Sequence, residues 1–352
     1  MKEYYTSEAR SGFDMPMNKA VLAAFKAVTR LRPDIRDFYK TQRVVEELSS
    51  KFMLPKLRCR IDDAKATMSD GYEVPLRIFT PQDIVITLAK GLKVTEDYRG
   101  TILFFHGGGW VNGSVDFYID TCVSMAIKLE RRVVAVDYRR APEHRFPQAP
   151  NDCYEVARQL FTGALISDIA VDNVVLFGDS AGGNLAAVVS LMARDRGEFI
   201  PRTQVLLYPA TYNDHSPSTI FDSVRDNGED YLLPARDVEG YMELYRSEPD
   251  DIWNAYFAPL LAANLSGQPR TLVISAEYCP LRDEGEVYAG RLWLEGSDVW
   301  CYRMLNAVHG YLLYPSVFRL VKDTYRIIRH FLDDEELTQE GEPAWLGILG
   351  TD

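Results

Sequence analysis

Apolar residues follow two different periods along the chain. In the first fifty-odd residues they recur at helical spacing, around Leu22 and Phe25 and again from Ile35 to Phe52, after the break at Pro33. Two strand-like segments then flank a turn at residues 69–71, which predicts a β-hairpin. The N-terminal part is therefore expected to be helical and to lead into a hairpin, whereas the stretch 81–99 favours no element.

From Thr101 onwards, short apolar runs alternate with helical patterns. The runs are TILFF, VVAVDY, NVVLFGDS, QVLLYPA, TLVISAEY and VWCYRML. Strands that are apolar throughout are typical of a parallel sheet covered on both faces, so the pattern predicts an α/β fold. The alternation lapses between Tyr212 and Trp253, which indicates an insertion above the sheet. The apolar tail segment AWLGILG must dock either on its own domain or on a partner subunit, which leaves a homodimer open.

Composition narrows the function classes. The chain has 352 residues and a net charge of −12, from 39 basic and 51 acidic side chains. This charge disfavours a nucleic-acid or membrane-surface role. No apolar run approaches the roughly 18 residues of a membrane-spanning helix, so no membrane insertion is expected. The start MKEYYTSEAR lacks the apolar core of a secretory signal, and the five scattered cysteines form no C-x-x-C motif. We therefore expect a cytoplasmic protein with reduced thiols.

The residues that indicate chemistry begin with Gly178-Asp179-Ser180-Ala181-Gly182, which matches Gly-x-Ser-x-Gly. Alone, this pattern is common by chance, but here it follows a predicted buried strand and precedes a predicted helix. A nucleophilic serine on a tight strand-to-helix turn requires such small neighbours, because the backbone approaches itself there. Ser180 is therefore the predicted nucleophile.

A second motif, HGGGW, starts at His106 and ends an earlier predicted strand. Its spacing fits neither of the common phosphate-binding glycine loops. The glycines instead offer unhindered backbone N–H groups, which an acyl-transfer enzyme needs to stabilise an oxyanion. We predict an oxyanion hole formed by the N–H groups of Gly108, Gly109 and Ala181.

The general base must come from five histidines: His106, His144, His215, His309 and His330. His106 lies in the glycine loop, His144 in a proline-bounded loop, His215 in the insertion and His330 on the polar side of the last helix. His309 follows a predicted strand and comes after the nucleophile in chain order, where the base of this architecture belongs. It is the predicted base.

Together these residues resemble the hormone-sensitive-lipase family of α/β hydrolases, carboxylesterases marked by an HGGG loop and a GDSAGG elbow. The resemblance covers roughly Thr101 to Leu332 and includes the stretch 137–144 and the pair His309-Gly310. It implies the α/β-hydrolase fold, an eight-stranded, mostly parallel sheet flanked by helices, with a helical cap. It also implies short- to medium-chain ester substrates and no cofactor.

The resemblance divides the chain into a core and a cap. Residues 1–55 and 212–253 would form the cap, residues 56–211 and 254–340 the core, and residues 341–352 a C-terminal tail. No histidine–cysteine cluster has zinc spacing, so no metal is expected.

One position departs from the family. The family's triad acid lies in an Asp-Pro-Leu-x-Asp-Glu-Gly stretch, where this chain has Cys279 in the acid slot. A thiol does not orient and stabilise the imidazole as a carboxylate does. A neighbouring acid could have taken the role, and Asp283 is favoured over Glu277 and Asp214 because it lies on the same loop.

Two further hypotheses follow from Cys279: a Ser–His dyad of reduced rate, and a relative that lost catalysis and only binds a ligand. The leading prediction is a serine carboxylesterase that acts on a small-molecule ester through a Ser180 acyl-enzyme. An amidase or acyltransferase using the same residues stays open.

Overall fold

The computed structural model describes residues 2–5, 19–50, 58–87, 91–96 and 98–334. Its main sheet has nine strands in the order β1-β11-β10-β9-β8-β6-β7-β3-β2. The strands are β1 Lys2–Tyr5, β2 Cys59–Thr67, β3 Glu73–Pro81, β6 Thr101–Phe105, β7 Arg132–Val136, β8 Val174–Asp179, β9 Thr203–Leu207, β10 Arg270–Tyr278 and β11 Val299–Val308. From β1 to β7 all neighbours are parallel, and β3 and β2 are antiparallel.

The sheet confirms the predicted α/β-hydrolase architecture, and all six apolar runs form strands. Every residue of β6, β7 and β8 is buried, because helices cover the sheet and these strands need apolar side chains on both faces. The sequence predicted eight strands. The ninth, β1, is a short polar edge strand that pairs only with β11 among the described residues, so no hydrophobic pattern indicates it.

The predicted hairpin is formed by β2 and β3, which pair in antiparallel register from Cys59–Pro81 to Thr67–Glu73. The stretch for which the sequence favoured no element contains a separate two-stranded sheet, β4 Asp83–Thr87 and β5 Gly91–Thr95.

Nine α-helices are present in the described part of the chain. They are α1 Lys19–Leu31, α2 Ile35–Ser50, α3 Ile119–Leu129, α4 Gln148–Phe161, α5 Ala181–Arg196, α6 Asp222–Asn227, α7 Ala235–Tyr245, α8 Arg282–Leu294 and α9 Arg319–Leu332. Helix α5 contacts β6, β8 and β9, and α8 contacts β10 and β11. Helix α2 packs against α7, which joins the N-terminal helices to the segment after β9. None of the described helices is both long and apolar enough to cross a membrane.

The parallel strands place the predicted chemistry at one edge of the sheet. The HGGG loop follows β6, Ser180 follows β8, Cys279 follows β10 and His309 follows β11. Because these strands are parallel, their carboxyl ends meet at the same edge, where ligands bind in open α/β sheets. The AWLGILG tail lies outside the described residues.

Candidate active site

Ser180 occupies a strained turn between β8 and α5. Its φ of 55° and ψ of −121° lie outside the conformations that side-chain-bearing residues favour. The surrounding glycines allow this turn, since a Cβ on Gly182 would lie 1.9 Å from the backbone oxygen of Phe105 and one on Gly178 would lie 2.0 Å from Gly182. The bend places the hydroxyl on the wall of a cavity rather than in the core.

The imidazole of His309 lies next to this hydroxyl. Its Nε2 is 2.8 Å from Oγ of Ser180, and the ring packs edge-on against Tyr208 with centroids 4.9 Å apart. Burial lowers the pKa of His309 to about 3. The imidazole is therefore neutral near pH 7, as a group that accepts a proton from serine must be.

The other ring nitrogen of His309 contacts a thiol. Nδ1 lies 3.1 Å from Sγ of Cys279, and the backbone N–H of Leu281 donates to the same sulfur at 3.3 Å. Burial raises the pKa of the Cys279 thiol well above its usual range. A neutral thiol thus faces Nδ1 of the imidazole, at the position where the resemblance places the family's triad carboxylate.

The structure does not bring Asp283 to the imidazole, and the expectation that it replaces the missing acid is corrected here. Asp283 lies in the first turn of α8, where its oxygens accept hydrogen bonds from the backbone N–H of Ser223 at 2.7 Å and from Nε of Arg282 at 2.7 Å. Burial opposes ionisation, but Arg282 and Ser223 outweigh it and hold the pKa of Asp283 below its ordinary value. The carboxylate stabilises the contact between α8 and α6 instead.

The two other candidate acids are also engaged elsewhere. Glu277 accepts a hydrogen bond from the backbone N–H of Asn306 at 2.6 Å, and Asp214 accepts one from the backbone N–H of Ser216 at 2.9 Å. Among the described residues, the group that hydrogen-bonds to Nδ1 of His309 is the thiol of Cys279.

The predicted oxyanion donors line the same cavity as the Ser–His pair. Gly108, Gly109 and Ala181 all contribute to its wall. Ala181 is the first residue of α5, so its N–H has no partner within the helix. Residues of the loop and of the helix start thus line the cavity together with Ser180.

Asp179 connects the two motifs of the site, a contact that the sequence did not indicate although the residue lies inside the elbow motif. It is buried, and its carboxylate accepts hydrogen bonds from the backbone N–H of Gly107 at 2.9 Å and from the hydroxyl of Tyr118 at 3.0 Å. Burial raises the pKa of Asp179 to about 7. The side chain ties the start of the oxyanion loop to the elbow.

A buried hydrogen bond between a histidine and a glutamate holds the segment after β9 against α8. Nε2 of His215 lies 2.5 Å from Glu284, which also accepts hydrogen bonds from the backbone N–H groups of Thr211 and Tyr212. The sequence predicted His215 in the insertion but not its partner, since Glu284 is distant along the chain.

The remaining histidines do not contact Ser180. His106 is buried and stacks on Tyr138 at 4.4 Å, with Nδ1 2.8 Å from the carbonyl of Gly107, which agrees with a loop-bracing role. His144 follows the cis peptide bond Ala141-Pro142, and His330 lies on α9.

The cavity has a volume of about 240 Å³. Its apolar wall is formed by side chains from several elements: Phe117, Leu232, Leu233, Val238, Tyr241, Leu281 and Leu313. Its polar lining includes Arg32, which lies between α1 and α2, and Gln42 and Glu46 of α2. Within the described ranges, no group of three or more His, Cys, Asp or Glu side chains is arranged to hold a metal ion.

Comparison with known proteins assigns the chain to a family. A family model described as the alpha/beta hydrolase fold matches residues 102–313. The chain is 34% identical over 307 residues to an arylesterase of Saccharolobus solfataricus, covering 83% of this chain and 95% of that protein. The chain belongs to the hormone-sensitive-lipase-like carboxylesterase family of α/β hydrolases.

Other members support this assignment. An ethyl acetate hydrolase of Pseudomonas putida is 33% identical to this hydrolase over 258 residues, which cover 73% of this chain and 77% of that protein. The solved structure of a hyperthermophilic esterase from Pyrobaculum calidifontis superposes with a TM-score of 0.78 at 33% identity, covering 91% of the hydrolase and 99% of the other chain.

Proposed function

We propose that this carboxylic ester hydrolase acts through a Ser180 acyl-enzyme, with His309 as the general base and the thiol of Cys279 as the neutral partner of the imidazole. The observation that carries the proposal is the 2.8 Å contact between Nε2 of His309 and Oγ of Ser180 at the wall of the cavity. A base in direct contact with a serine hydroxyl that lines a cavity from a strained turn is the arrangement that serine acyl transfer requires.

In the first step Ser180 attacks the ester carbonyl while His309 takes its proton. The carbonyl oxygen becomes an oxyanion, which the N–H groups of Gly108, Gly109 and Ala181 stabilise. The protonated imidazole then gives its proton to the leaving alcohol, and the acyl group stays on Ser180. In the second step His309 deprotonates a water molecule, which hydrolyses the acyl-enzyme and restores the free serine.

Cys279 affects both the orientation and the charge of the base. For Nε2 to accept the serine proton, Nδ1 of His309 must carry the ring hydrogen and donate it to Sγ. A carboxylate only accepts hydrogen bonds and therefore fixes that tautomer, whereas a thiol can also donate and so permits the unproductive one. The N–H of Leu281 donates to Sγ, and this hydrogen bond leaves the S–H bond able to point towards Nδ1. The productive tautomer is thus supported more weakly than in an enzyme with the acid.

The cavity favours small substrates. Its volume of about 240 Å³ lies below the range of roughly 300–1,000 Å³ that is usual for drug-sized ligands. The apolar wall from Leu232, Val238 and Leu313 suits the alkyl portion of an ester. We therefore propose short- to medium-chain carboxylic esters as substrates, with the shorter acyl chains hydrolysed faster.

The experiment is hydrolysis of p-nitrophenyl esters of two to twelve acyl carbons by the wild type and Ser180→Ala. The wild type is expected to hydrolyse the short esters faster. Ser180→Ala is expected to lose both the initial burst of p-nitrophenol from acyl-enzyme formation and the steady-state turnover. Ser190→Ala is a matched control, because it removes a buried hydroxyl from the same helix away from the cavity. Equal rates for the wild type and Ser180→Ala would refute the proposed nucleophile, and a preference for long chains would refute the proposed substrate class.

A second candidate function rests on the contact between Cys279 and His309. If the neutral thiol leaves the imidazole too weakly supported, the protein is a catalytically weakened relative that chiefly binds a ligand in the cavity. Such a protein would show no acyl-enzyme burst with p-nitrophenyl acetate, and it would gain one when a carboxylate is restored at position 279.

A further inference from the structure

The second half of the oxyanion loop is held by helix α2. The backbone N–H of Gly113 donates a hydrogen bond to Oε2 of Glu46 at 2.9 Å. One turn earlier on the same helix, Nε of Arg43 donates to the carbonyl of Val111 at 2.8 Å. Helix α2 is thus bonded to two peptide groups that lie just after the predicted donors Gly108 and Gly109.

Gly113 packs directly against residues 106 and 107, which begin the oxyanion loop. A Cβ at Gly113 would lie 2.3 Å from the carbonyl oxygen of Gly107 and 2.7 Å from Nδ1 of His106, so the two halves of the loop are in direct contact. The front half is held by Asp179, which accepts the hydrogen bond from the N–H of Gly107. A shift at residue 113 must therefore move the backbone that carries the donors or break its packing.

Glu46 is built into this position rather than drawn to it from solvent. The side chain is buried, and its other oxygen accepts a hydrogen bond from Nε2 of Gln42 at 3.1 Å. Burial raises the pKa of Glu46, against the opposing effects of the Gly113 hydrogen bond and of two nearby arginines. Arg140, one of these arginines, donates to the carbonyl of Gly113, so the N–H and the carbonyl of that residue are each held by a side chain.

We propose that Glu46 is a positioning residue for the reaction: by holding the N–H of Gly113, it aims the N–H groups of Gly108 and Gly109 at the oxyanion. This inference rests on the proposed function, because it assumes that those donors stabilise a tetrahedral intermediate. It assigns the N-terminal helices a part in transition-state stabilisation in addition to lining the substrate cavity.

The test compares Glu46→Ala and Glu46→Gln with the wild type. Glu46→Ala removes the acceptor of Gly113, and we expect kcat for p-nitrophenyl acetate to fall between about tenfold and a hundredfold, less than the ~10²–10³ caused by loss of an oxyanion donor itself. KM should change by less than about twofold, because ground-state binding uses the oxyanion donors little. Glu46→Gln keeps an oxygen for Gly113 and should recover most of kcat.

A transition-state analogue separates positioning from a merely structural role. Butylboronic acid forms a tetrahedral adduct with serine, so its affinity should fall with kcat in Glu46→Ala. Glu243→Gln is the control: it removes an α7 carboxylate that pairs with Arg36 of α2 but does not touch the oxyanion loop, and it should leave kcat and boronate affinity unchanged.

The outcomes distinguish the two proposals. A wild type no faster than Ser180→Ala would remove the proposed function. An active wild type with an unchanged kcat and boronate affinity in Glu46→Ala would remove only the inference about Glu46. If Glu46→Ala does not fold, Arg43→Met tests the same attachment through Val111, and it must show a lower kcat and weaker boronate binding at nearly constant KM for the inference to stand.

Discussion

Replacing Cys279 by aspartate would place a carboxylate against the imidazole of His309. The site is prepared for it, because Nδ1 of His309 and the backbone N–H of Leu281 both lie within hydrogen-bonding distance of the present sulfur. A carboxylate at this position would accept both hydrogen bonds, hold the productive tautomer and stabilise the imidazolium that forms in the transition state. The substitution therefore tests whether the lack of a carboxylate next to His309 limits the rate.

The expected gain in kcat follows from the pKa of the His309 imidazole. Burial lowers the pKa of His309 from 6.5 to about 3. Such a shift corresponds to roughly 5 kcal/mol of lost stability for the imidazolium, at about 1.4 kcal/mol per pH unit. A neighbouring carboxylate typically shifts a pKa by 1–3 units towards the charged form. Cys279→Asp should therefore raise the pKa of His309 by about 1–3 units and kcat by roughly 10- to 1,000-fold.

The assay is kcat/KM for p-nitrophenyl acetate between pH 4.5 and 8.5. In the wild type the base stays deprotonated throughout this range, so the profile should show no fall caused by protonation of His309. In Cys279→Asp a pKa raised by about 1–3 units from about 3 should bring an acidic limb into the acidic end of this range. Cys279→Ser is the matched control, because a hydroxyl is also neutral and should produce neither the rate gain nor the limb.

An unchanged rate and pH profile in folded Cys279→Asp would refute this account of the thiol. Asp283→Asn supplies the complementary observation. Since Asp283 is bonded to Ser223 and Arg282, its replacement should leave kcat within about twofold of the wild type. A large loss of kcat at constant KM in Asp283→Asn would restore that residue as the acid.

Three further predictions concern the structure around the site. Asp179→Asn should gain up to about 4 kcal/mol of unfolding free energy relative to the wild type between pH 4 and about 7, measured by urea unfolding. The reason is that the folded wild type keeps a proton on a carboxyl of pKa about 7, whereas the unfolded chain releases it near pH 4. A difference that does not depend on pH would contradict this. Gly182→Ala should lower the melting temperature and abolish activity, since its Cβ would lie 1.9 Å from a backbone oxygen of β6. The control is Gly290→Ala on α8, whose Cβ would have no atom within 4 Å and which should raise the free energy of unfolding by about 0.4–1 kcal/mol. Glu284→Ala should lower the free energy of unfolding by at least about 3 kcal/mol, because His215 and two backbone N–H groups lose their buried acceptor at about 1–3 kcal/mol each. A loss below about 1 kcal/mol would contradict this role of Glu284.

Local sequence was sufficient for the parts of the site that are encoded by short motifs. The Gly-x-Ser-x-Gly turn requires close backbone approach, and this requirement is visible in the glycines themselves. His309 could be selected because it follows a predicted strand and comes after the nucleophile in chain order. The structure places it 2.8 Å from Ser180 although 129 positions separate the two residues.

The sequence could not predict in the same way that no neighbouring acid contacts the imidazole of His309. Asp283 lies near position 279 along the chain, but it falls in the first turn of α8, where its side chain meets Ser223 of α6, sixty positions away. The direction of a side chain at a helix start depends on which element packs there, and no local pattern encodes that. Glu46 is a comparable case, since its partner Gly113 is 67 positions away.

The surroundings of Cys279 explain how the fold accommodates a neutral group in this slot. Burial is the main cause that disfavours a negative charge on the sulfur, and Glu284 and Asp283 add to it. A carboxylate here would add a third acid to this part of the site, whereas a neutral thiol beside a neutral imidazole requires no buried charge in the resting enzyme. The cost falls on the transition state, where the imidazolium must form without a counter-charge. Replacing the acid by a thiol should therefore favour the resting protein at the expense of turnover, so that Cys279→Asp is expected to lower the free energy of unfolding while it raises kcat.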